Sequence, residues 1–343
     1  MSLKTQRTLD RAKKLAKKGE YNQAEDLFKT LLDDASINSE VKKELLLLDE
    51  AKNNSRAPKA ELQSIIRLYS NGEIKQTLKA IESLSKKYPN EPILYNIAGA
   101  CYKQENNLDF AINSFKKAIE IEPNFPEAQY NLGIALRDFG RIEEAKLCYE
   151  DVLKANHAYP NVHNNLGNIF LELDDLNSAV DHFEWAVAYQ PEFTLAYNNL
   201  GSTFIKLGRI DDAIKSFETV ISLDSSSVEA HNNLGIAFHK LNQLDLAINS
   251  YQNALNLNSS YSLAHNNLGN ALKDQGNLEG ALESYQKAID ANPDYAEAFN
   301  NLGNIYKEMG DIDKSLELYQ KALLIKPEYL EAQNNLDNAA SLK

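Results

Sequence analysis

Apolar and small residues recur along this chain at fixed places in a 34-residue frame. Leu132-Gly133, Leu166-Gly167, Leu200-Gly201, Leu234-Gly235, Leu268-Gly269 and Leu302-Gly303 each lie 34 residues after the last. Counted with Pro58 as place 1, eight frames tile residues 58–329 without a gap. In the frame 296–329, Phe299, Leu302, Gly303 and Tyr306 hold places 4, 7, 8 and 11, and Tyr319 and Ala322 hold places 24 and 27. Separations of three and four put each set on one face of an α-helix. Gly310-Asp311 separates the two faces, so each frame predicts a helical hairpin, helix A followed by helix B. Place 8 is small enough for close helix approach, as is place 20, which is Ala145, Ala179, Ala213, Ala247 or Ala281, and Ser315 in the last frame. Pro123, Pro191, Pro293 and Pro327 at place 32 end helix B, since proline cannot continue a helix. One hairpin cannot bury its apolar face alone, so a tandem of them must stack as a solenoid.

These places carry the pattern of the tetratricopeptide repeat, which the chain resembles over nearly its whole length. The departures are small. The family's Trp at place 4 is here Tyr95, Gln129, His163, Tyr197, His231, His265 or Phe299. The first frame, 58–91, is degenerate, with Ser64-Ile65 for Leu-Gly and Thr77 for Ala, but it keeps Gly72, Ile81, Leu84 and Pro89. The resemblance implies an all-α fold, a right-handed superhelix of antiparallel helix pairs with helix A lining its concave side.

Both ends depart from the frame. Residues 1–57 read as a smaller helical module: Leu9, Ala12 and Leu15 on one helix, Gly19 at a turn, and Tyr21, Ala24, Phe28 and Leu31 on a second. A leucine-rich helix through Leu45–Leu48 follows, and residues 53–58 read as a linker. Residues 330–343 begin another helix A with Ala332, Asn335 and Leu336 in frame. Asp337 replaces its glycine, as a capping helix with no further neighbour requires.

Composition narrows the function classes. The net charge is −13, with +2 in residues 1–57 and −15 in the remainder, which argues against nucleic acid or an anionic membrane surface as partner. The N-terminus lacks the apolar core of a signal peptide, and no apolar run approaches the ~20 residues of a membrane span. Cys101 and Cys148 lie on predicted helices of different frames, as buried small residues would, and suggest no disulfide framework. A reducing, cytoplasmic location fits. The Lys- and Asn-rich, Arg-poor composition suggests an AT-rich, bacterial genome.

Signatures of catalysis are missing. No Gly-x-x-x-x-Gly-Lys-Ser/Thr loop, His-Glu-x-x-His helix or Cys-x-x-Cys pair occurs, so no catalytic residue, metal site or cofactor is expected. His163, His231 and His265 share place 4. Equivalent places in stacked helices lie about 8–10 Å apart, too far for ligands that meet at ~2 Å from one ion. They are expected in packing, His182 and His239 at the surface, and Trp185 in packing or on an exposed ridge.

One pattern exceeds what packing needs. Place 6 is asparagine in seven successive units, Asn131, Asn165, Asn199, Asn233, Asn267, Asn301 and Asn335, and place 5 in six, Asn164, Asn198, Asn232, Asn266, Asn300 and Asn334. Place 9 adds Asn168, Asn270 and Asn304. Each costs a helix roughly 0.5–0.7 kcal/mol against alanine. Places 2, 6, 9 and 13 share one face of helix A. An amide offers a donor and an acceptor, and so can pair with a peptide backbone without reading side chains. The place-6 series resembles the asparagine ladder in the repeats of the nucleocytoplasmic O-GlcNAc transferase, and that resemblance implies peptide binding by these seven residues alone. Seven rungs at about 8–10 Å match roughly 15–18 residues of extended chain. Recent duplication of Asn-Asn-Leu-Gly would also produce the series, as would amides that bridge adjacent helices. A two-carboxylate clamp, known in this family, needs lysine at place 5 and basic residues at places 2 and 6, where this chain has asparagine, Glu127, Glu229 and Glu297.

The resulting expectation is a non-enzymatic scaffold whose concave groove holds a protein or peptide segment. A second reading, from the resemblance of the layout to bacterial tetratricopeptide proteins ending in a sulfotransferase or glycosyltransferase domain, is a recruiting arm whose catalytic domain lies outside this chain. Self-association through the N-terminal module is a third.

Overall fold

The computed structural model describes residues 3–34, 36–54 and 56–343; for residues 52–54 it describes backbone only. The chain falls into two compact units, Met1–Val162 and His163–Lys343. Every described element is an α-helix, and there is no strand among the described residues. The first unit opens with α1 (Leu3–Lys17), α2 (Tyr21–Lys29) and α3 (Asn38–Asn54). Then come the pairs α4 (Lys59–Ser70) with α5 (Ile74–Lys87), α6 (Pro92–Gln104) with α7 (Leu108–Ile121), and α8 (Pro126–Asp138) with α9 (Ile142–Ala155). The helix α10 (Pro160–Glu172) leads into α11 (Leu176–Tyr189). The pairs continue as α12 (Thr194–Lys206) with α13 (Ile210–Leu223), α14 (Val228–Lys240) with α15 (Leu244–Leu257), α16 (Ser262–Asp274) with α17 (Leu278–Ala291), and α18 (Ala296–Glu308) with α19 (Ile312–Ile325). The last helix is α20 (Leu330–Ala340). Helix A therefore starts within a residue of each 34-residue boundary. None of the described helices is long and apolar enough to cross a membrane.

The turn between A and B explains the punctuation at place 15. Gly72, Gly140, Gly208, Gly276 and Gly310 have φ between 75° and 87°, and Asn106, Asp174 and Asn242 have φ between 57° and 59°. Left-handed backbone favours glycine and tolerates asparagine or aspartate. At Gly208 the hydrogen bonds from Gly208 N–H to the Ile205 carbonyl (3.1 Å) and from Arg209 N–H to that of Phe204 (2.9 Å) close the end of α12.

Within a pair, the place-24 ring of helix B fills the space left by the place-8 glycine of helix A. Phe183, Phe217, Tyr251, Tyr285 and Tyr319 of the second unit are essentially fully buried. Around Phe217 the core gathers Ala213, Leu200, Phe204, Leu234 and Ala237. Within a unit, helix A also packs on the helix B before it, and α12 and α14 each pack on the next helix A.

In the first unit, α1–α3 close their own core of Leu9, Ala12, Ala24, Phe28, Leu31, Ile37, Val41 and Leu48. A separate core of Ile65, Ile81, Leu84, Leu94, Ile97, Ala98 and Cys101 lies in α4–α6. From α2, the Asn22 amide donates to the carbonyls of Glu120 and Ile121 at the end of α7. Beside the second core, Arg56 pairs with Glu91 (3.2 Å) and Glu122 (2.8 Å), and Ala57 N–H donates to the buried Glu91 carboxylate at 3.0 Å. The helix α3 extends to Asn54, into the stretch read as a linker; Ser55 of that stretch lies outside the described residues.

Candidate peptide-binding face

The asparagines of places 5 and 6 form a hydrogen-bonded register from one repeat to the next. In the second unit, the Nδ2 of Asn199 donates to the Oδ1 of Asn164 (2.9 Å), that of Asn267 to Asn232 (3.0 Å), that of Asn301 to Asn266 (3.0 Å), and that of Asn335 to Asn300 (2.9 Å). Each bond links residues 35 apart: place 6 of one repeat to place 5 of the repeat before. The first unit carries the same contact, from Asn131 to Asn96 at 3.1 Å. Asn96 belongs to the set, and its position at place 5 was the available signal for it.

The two layers differ in burial. Asn164, Asn198, Asn232, Asn266 and Asn300 are buried at 0–8% exposure, whereas all seven place-6 asparagines are half-buried. Asn334, on α20, is exposed. Two place-6 residues of the second unit depart from the rule: the residue 35 before Asn165 is Tyr130 rather than asparagine, and the Asn233 Oδ1 accepts from Asn232 Nδ2 at 3.4 Å while the buried Oδ1 of Asn198 has no donor. In the four rungs that keep the rule, one N–H is committed to the neighbouring repeat, and at Asn301 the amide also reaches Asn270 Oδ1 at 3.3 Å. Among the described residues, the Oδ1 atoms of Asn199, Asn267, Asn301 and Asn335 accept no hydrogen bond.

In the last two repeats, where place 24 is tyrosine and place 9 asparagine, place 9 has a packing role. The Tyr285 hydroxyl donates to Asn270 Oδ1 at 2.7 Å, and that of Tyr319 to Asn304 Oδ1 at 2.8 Å. A tyrosine hydroxyl taken out of water needs such an acceptor. Asn168 sits in a repeat whose place 24 is Phe183, with no hydroxyl to hold.

Place 4 is a clasp for the loop between repeats. Tyr95, Gln129, His231 and His265 reach the carbonyls of Pro89 (3.0 Å), Pro123 (3.1 Å), Ser225 (3.3 Å) and Ser259 (3.0 Å), each six residues earlier at place 32. His163 differs. It is buried, and its Nδ1 lies 3.0 Å from the Nδ1 of His182, so one ring donates and the other accepts. His182, expected at the surface, is half-buried and stacks on Phe170. Trp185 is 47% exposed and stacks on Tyr189, a ridge rather than core. Groups of three or more residues able to hold a metal are absent among the described residues.

Both cysteines are free, Cys101 buried and Cys148 half-buried. Burial pushes each thiol up to about 11. At about pH 8 that leaves roughly one thiolate in a thousand, and the thiolate is the reactive form. Titration with a chromogenic disulfide reagent should therefore show two slow thiols in the native protein and two fast ones in denaturant. Fast native labelling of either would contradict this burial.

Family models described as tetratricopeptide repeat or TPR repeat match residues 99–138, 130–184, 164–214, 201–242, 237–276, 269–310 and 296–329, an unbroken run over about two thirds of the chain. The chain is similar to the peroxisomal targeting signal receptors of Candida glabrata, 29% identical over 92 residues, and Saccharomyces cerevisiae, 28% identical over 111 residues. Those matches cover 27% and 32% of this chain but only 16% and 18% of the receptors, so the chain spans less than a fifth of these curated relatives. Among solved structures, a tetratricopeptide repeat protein of Parabacteroides merdae superposes with a TM-score of 0.59 at 17% identity, over 76% of this chain and 98% of that one. The APC/C hetero-tetramer Cut9–Hcn1 gives a TM-score of 0.57 at 15% identity, over 96% of this chain and 74% of that one. At these identities the two structures speak for the fold alone. Frame, hairpins, turns and profile matches agree: the chain belongs to the tetratricopeptide repeat family, whose all-α superhelical fold it shares.

Proposed function

We propose that the second unit is a non-enzymatic scaffold that holds an extended segment of another protein along its place-6 amides, Asn165, Asn199, Asn233, Asn267, Asn301 and Asn335, with Asn131 continuing the same pattern in the first unit. The observation that carries this is the split of labour between places 5 and 6. At Asn199, Asn267, Asn301 and Asn335 the buried place-5 amide receives one N–H from place 6, which fixes the rotamer of the place-6 side chain before any ligand arrives. The Oδ1 of each of these is left for an N–H of a passing backbone. An amide held in this way loses little side-chain entropy on binding. The similarity to receptors named for a targeting signal is consistent with a protein segment as ligand.

The experiment uses a degenerate library of 15-residue peptides and the whole chain. Two variants probe the face differently. Asn199→Ala with Asn267→Ala removes two rungs, and Ser202→Trp places bulk on the same face of α12 without removing a hydrogen bond of the register. A net hydrogen bond of about 0.5–1.5 kcal/mol per rung predicts roughly 10-fold weaker binding in the double variant. Ser202→Trp should weaken binding at unchanged helicity. If no peptide binds, or if selected peptides bind both variants as well as the original, the face is not a binding site and its amides serve the repeat stack alone.

A further inference from the structure

A second register runs beside the amides with the same offset of 35 residues. Place 12 of one repeat reaches place 13 of the next, as Lys103 does to Asp138 (3.1 Å) in the first unit and His239 to Asp274 (2.9 Å) in the second. Basic meets acidic in both cases. Two consecutive repeats break that rule. Place 13 is Lys206 in α12 and Lys240 in α14, and the place-12 residues that precede them in this register are Leu171 and Ile205. Both lysines are exposed, and among the described residues neither ammonium makes an ion pair or a hydrogen bond. Each lysine is the last residue of its helix, and three and four residues earlier stand Thr203 and Ser202 for Lys206, and Ala237 and Ile236 for Lys240, none of them acidic. In a chain with 49 acidic and 36 basic residues, two adjacent cations facing apolar partners are out of keeping with their surroundings.

What lies around them is also specific. Leu171 and Ile205 are half-buried against the core around Phe217. Ile236, at place 9 beside Lys240, is half-buried, and Leu195, at place 2 of α12, is 52% exposed. The lysines share the helix face of Asn199 and Asn233.

We infer that the segment lying along the amides carries an anionic side chain, a carboxylate or a phosphate, where it crosses α12 and α14. The anion sits between Lys206 and Lys240, and an apolar side chain next to it rests on Ile205 and Ile236. This rests on the ladder proposal, since it places the ligand on the same face. A lysine ammonium is a flexible point charge with three donors, suited to an anion of either geometry. Low-dielectric neighbours such as Ile205 and Ile236 strengthen that attraction relative to open solvent.

The test uses labelled 15-residue peptides that are degenerate except at the centre, which is aspartate, phosphoserine, asparagine or lysine. Binding is measured to the whole chain and to Lys206→Gln with Lys240→Gln, two exposed positions whose change leaves the core intact. Two surface ion pairs predict roughly 5-fold preference for the anionic centres over asparagine, and the preference should fade as salt rises. The lysine variant should lose the preference and its salt dependence while still binding the asparagine-centred pool. A higher affinity for phosphoserine than for aspartate would identify phosphate as the anion, and the reverse would identify carboxylate. Equal binding of all four pools, with loss in Asn199→Ala/Asn267→Ala, would overturn the anion inference and leave the ladder standing. Preference for the lysine centre would overturn it as well. Absence of binding by every pool would overturn both.

Discussion

Changing Asn199, Asn267 and Asn301 together to alanine is expected to lower the stability of the second unit by about 1–7 kcal/mol. Helix propensity alone gives the opposite sign, because alanine is favoured over asparagine by roughly 0.5–0.7 kcal/mol per site. The hydrogen bonds reverse it. Each substitution removes the donor to a buried acceptor, the Oδ1 of Asn164, Asn232 or Asn266, whose residues are 4–6% exposed. A buried polar atom left without its partner costs about 1–3 kcal/mol. That outweighs the propensity gain at every site, and the three losses add because the pairs belong to different repeat junctions. The sharper measurement is a double-mutant cycle. Asn164→Ala with Asn199→Ala should cost less than the sum of the single changes, since removing both partners leaves no orphan. Urea unfolding followed by circular dichroism reads both effects. A triple variant that unfolds at the same urea concentration as the original, or later, would show that these bonds contribute nothing. The result bears on function as well, because only amides already fixed by the neighbouring repeat would meet a ligand without reordering.

The hairpins, their boundaries and the glycine turns at Gly72 and Gly310 were legible in the sequence. Period, Leu-Gly pairs and place-15 glycines act locally, within three or four residues, and a 34-residue frame repeats them often enough to separate signal from accident. The interactions that were not legible are those between repeats. A period of 34 aligns Asn199 with Asn233 and so suggests rungs of like residues side by side. The partner in space is one place off: Asn199 meets Asn164, and His239 meets Asp274, both 35 residues away. That offset comes from the way one helix A leans on the next, which periodicity does not encode. The same blindness hid the clasps at place 4, where His265 reaches Ser259 across the loop, and the pairing of His163 with His182 between helices A and B of one repeat. Asn270 and Asn304 were visible as a partial series, but their tie to Tyr285 and Tyr319 required knowing that place 9 faces place 24.

Gly201→Val is expected to destabilise the second unit by about 3 kcal/mol, and Gly201→Ala by less but still in the same direction. On propensity alone, alanine in mid-helix should gain up to about 1 kcal/mol over glycine. Here a Cβ on Gly201 would lie 2.6 Å from Cε1 of Phe217, inside any van der Waals contact. The ring cannot retreat. It is fully buried, with Ala213, Leu200 and Leu234 in the same core, and forcing extra carbon into such a site typically costs about 1–3 kcal/mol. Valine adds two more methyls and a stiff χ1, so its cost sits at the upper end. Repeats are coupled only to their neighbours, so the damage should centre on α12 and α13, and hydrogen exchange should show those helices losing protection first. Shrinking the ring is the diagnostic. Phe217→Leu should partly restore Gly201→Ala while destabilising the original chain, a crossing of signs that a mere surface or propensity effect cannot produce. If Gly201→Ala instead raises the unfolding midpoint, the close approach of α12 to Phe217 is not a constraint, and place 8 is glycine for some other reason.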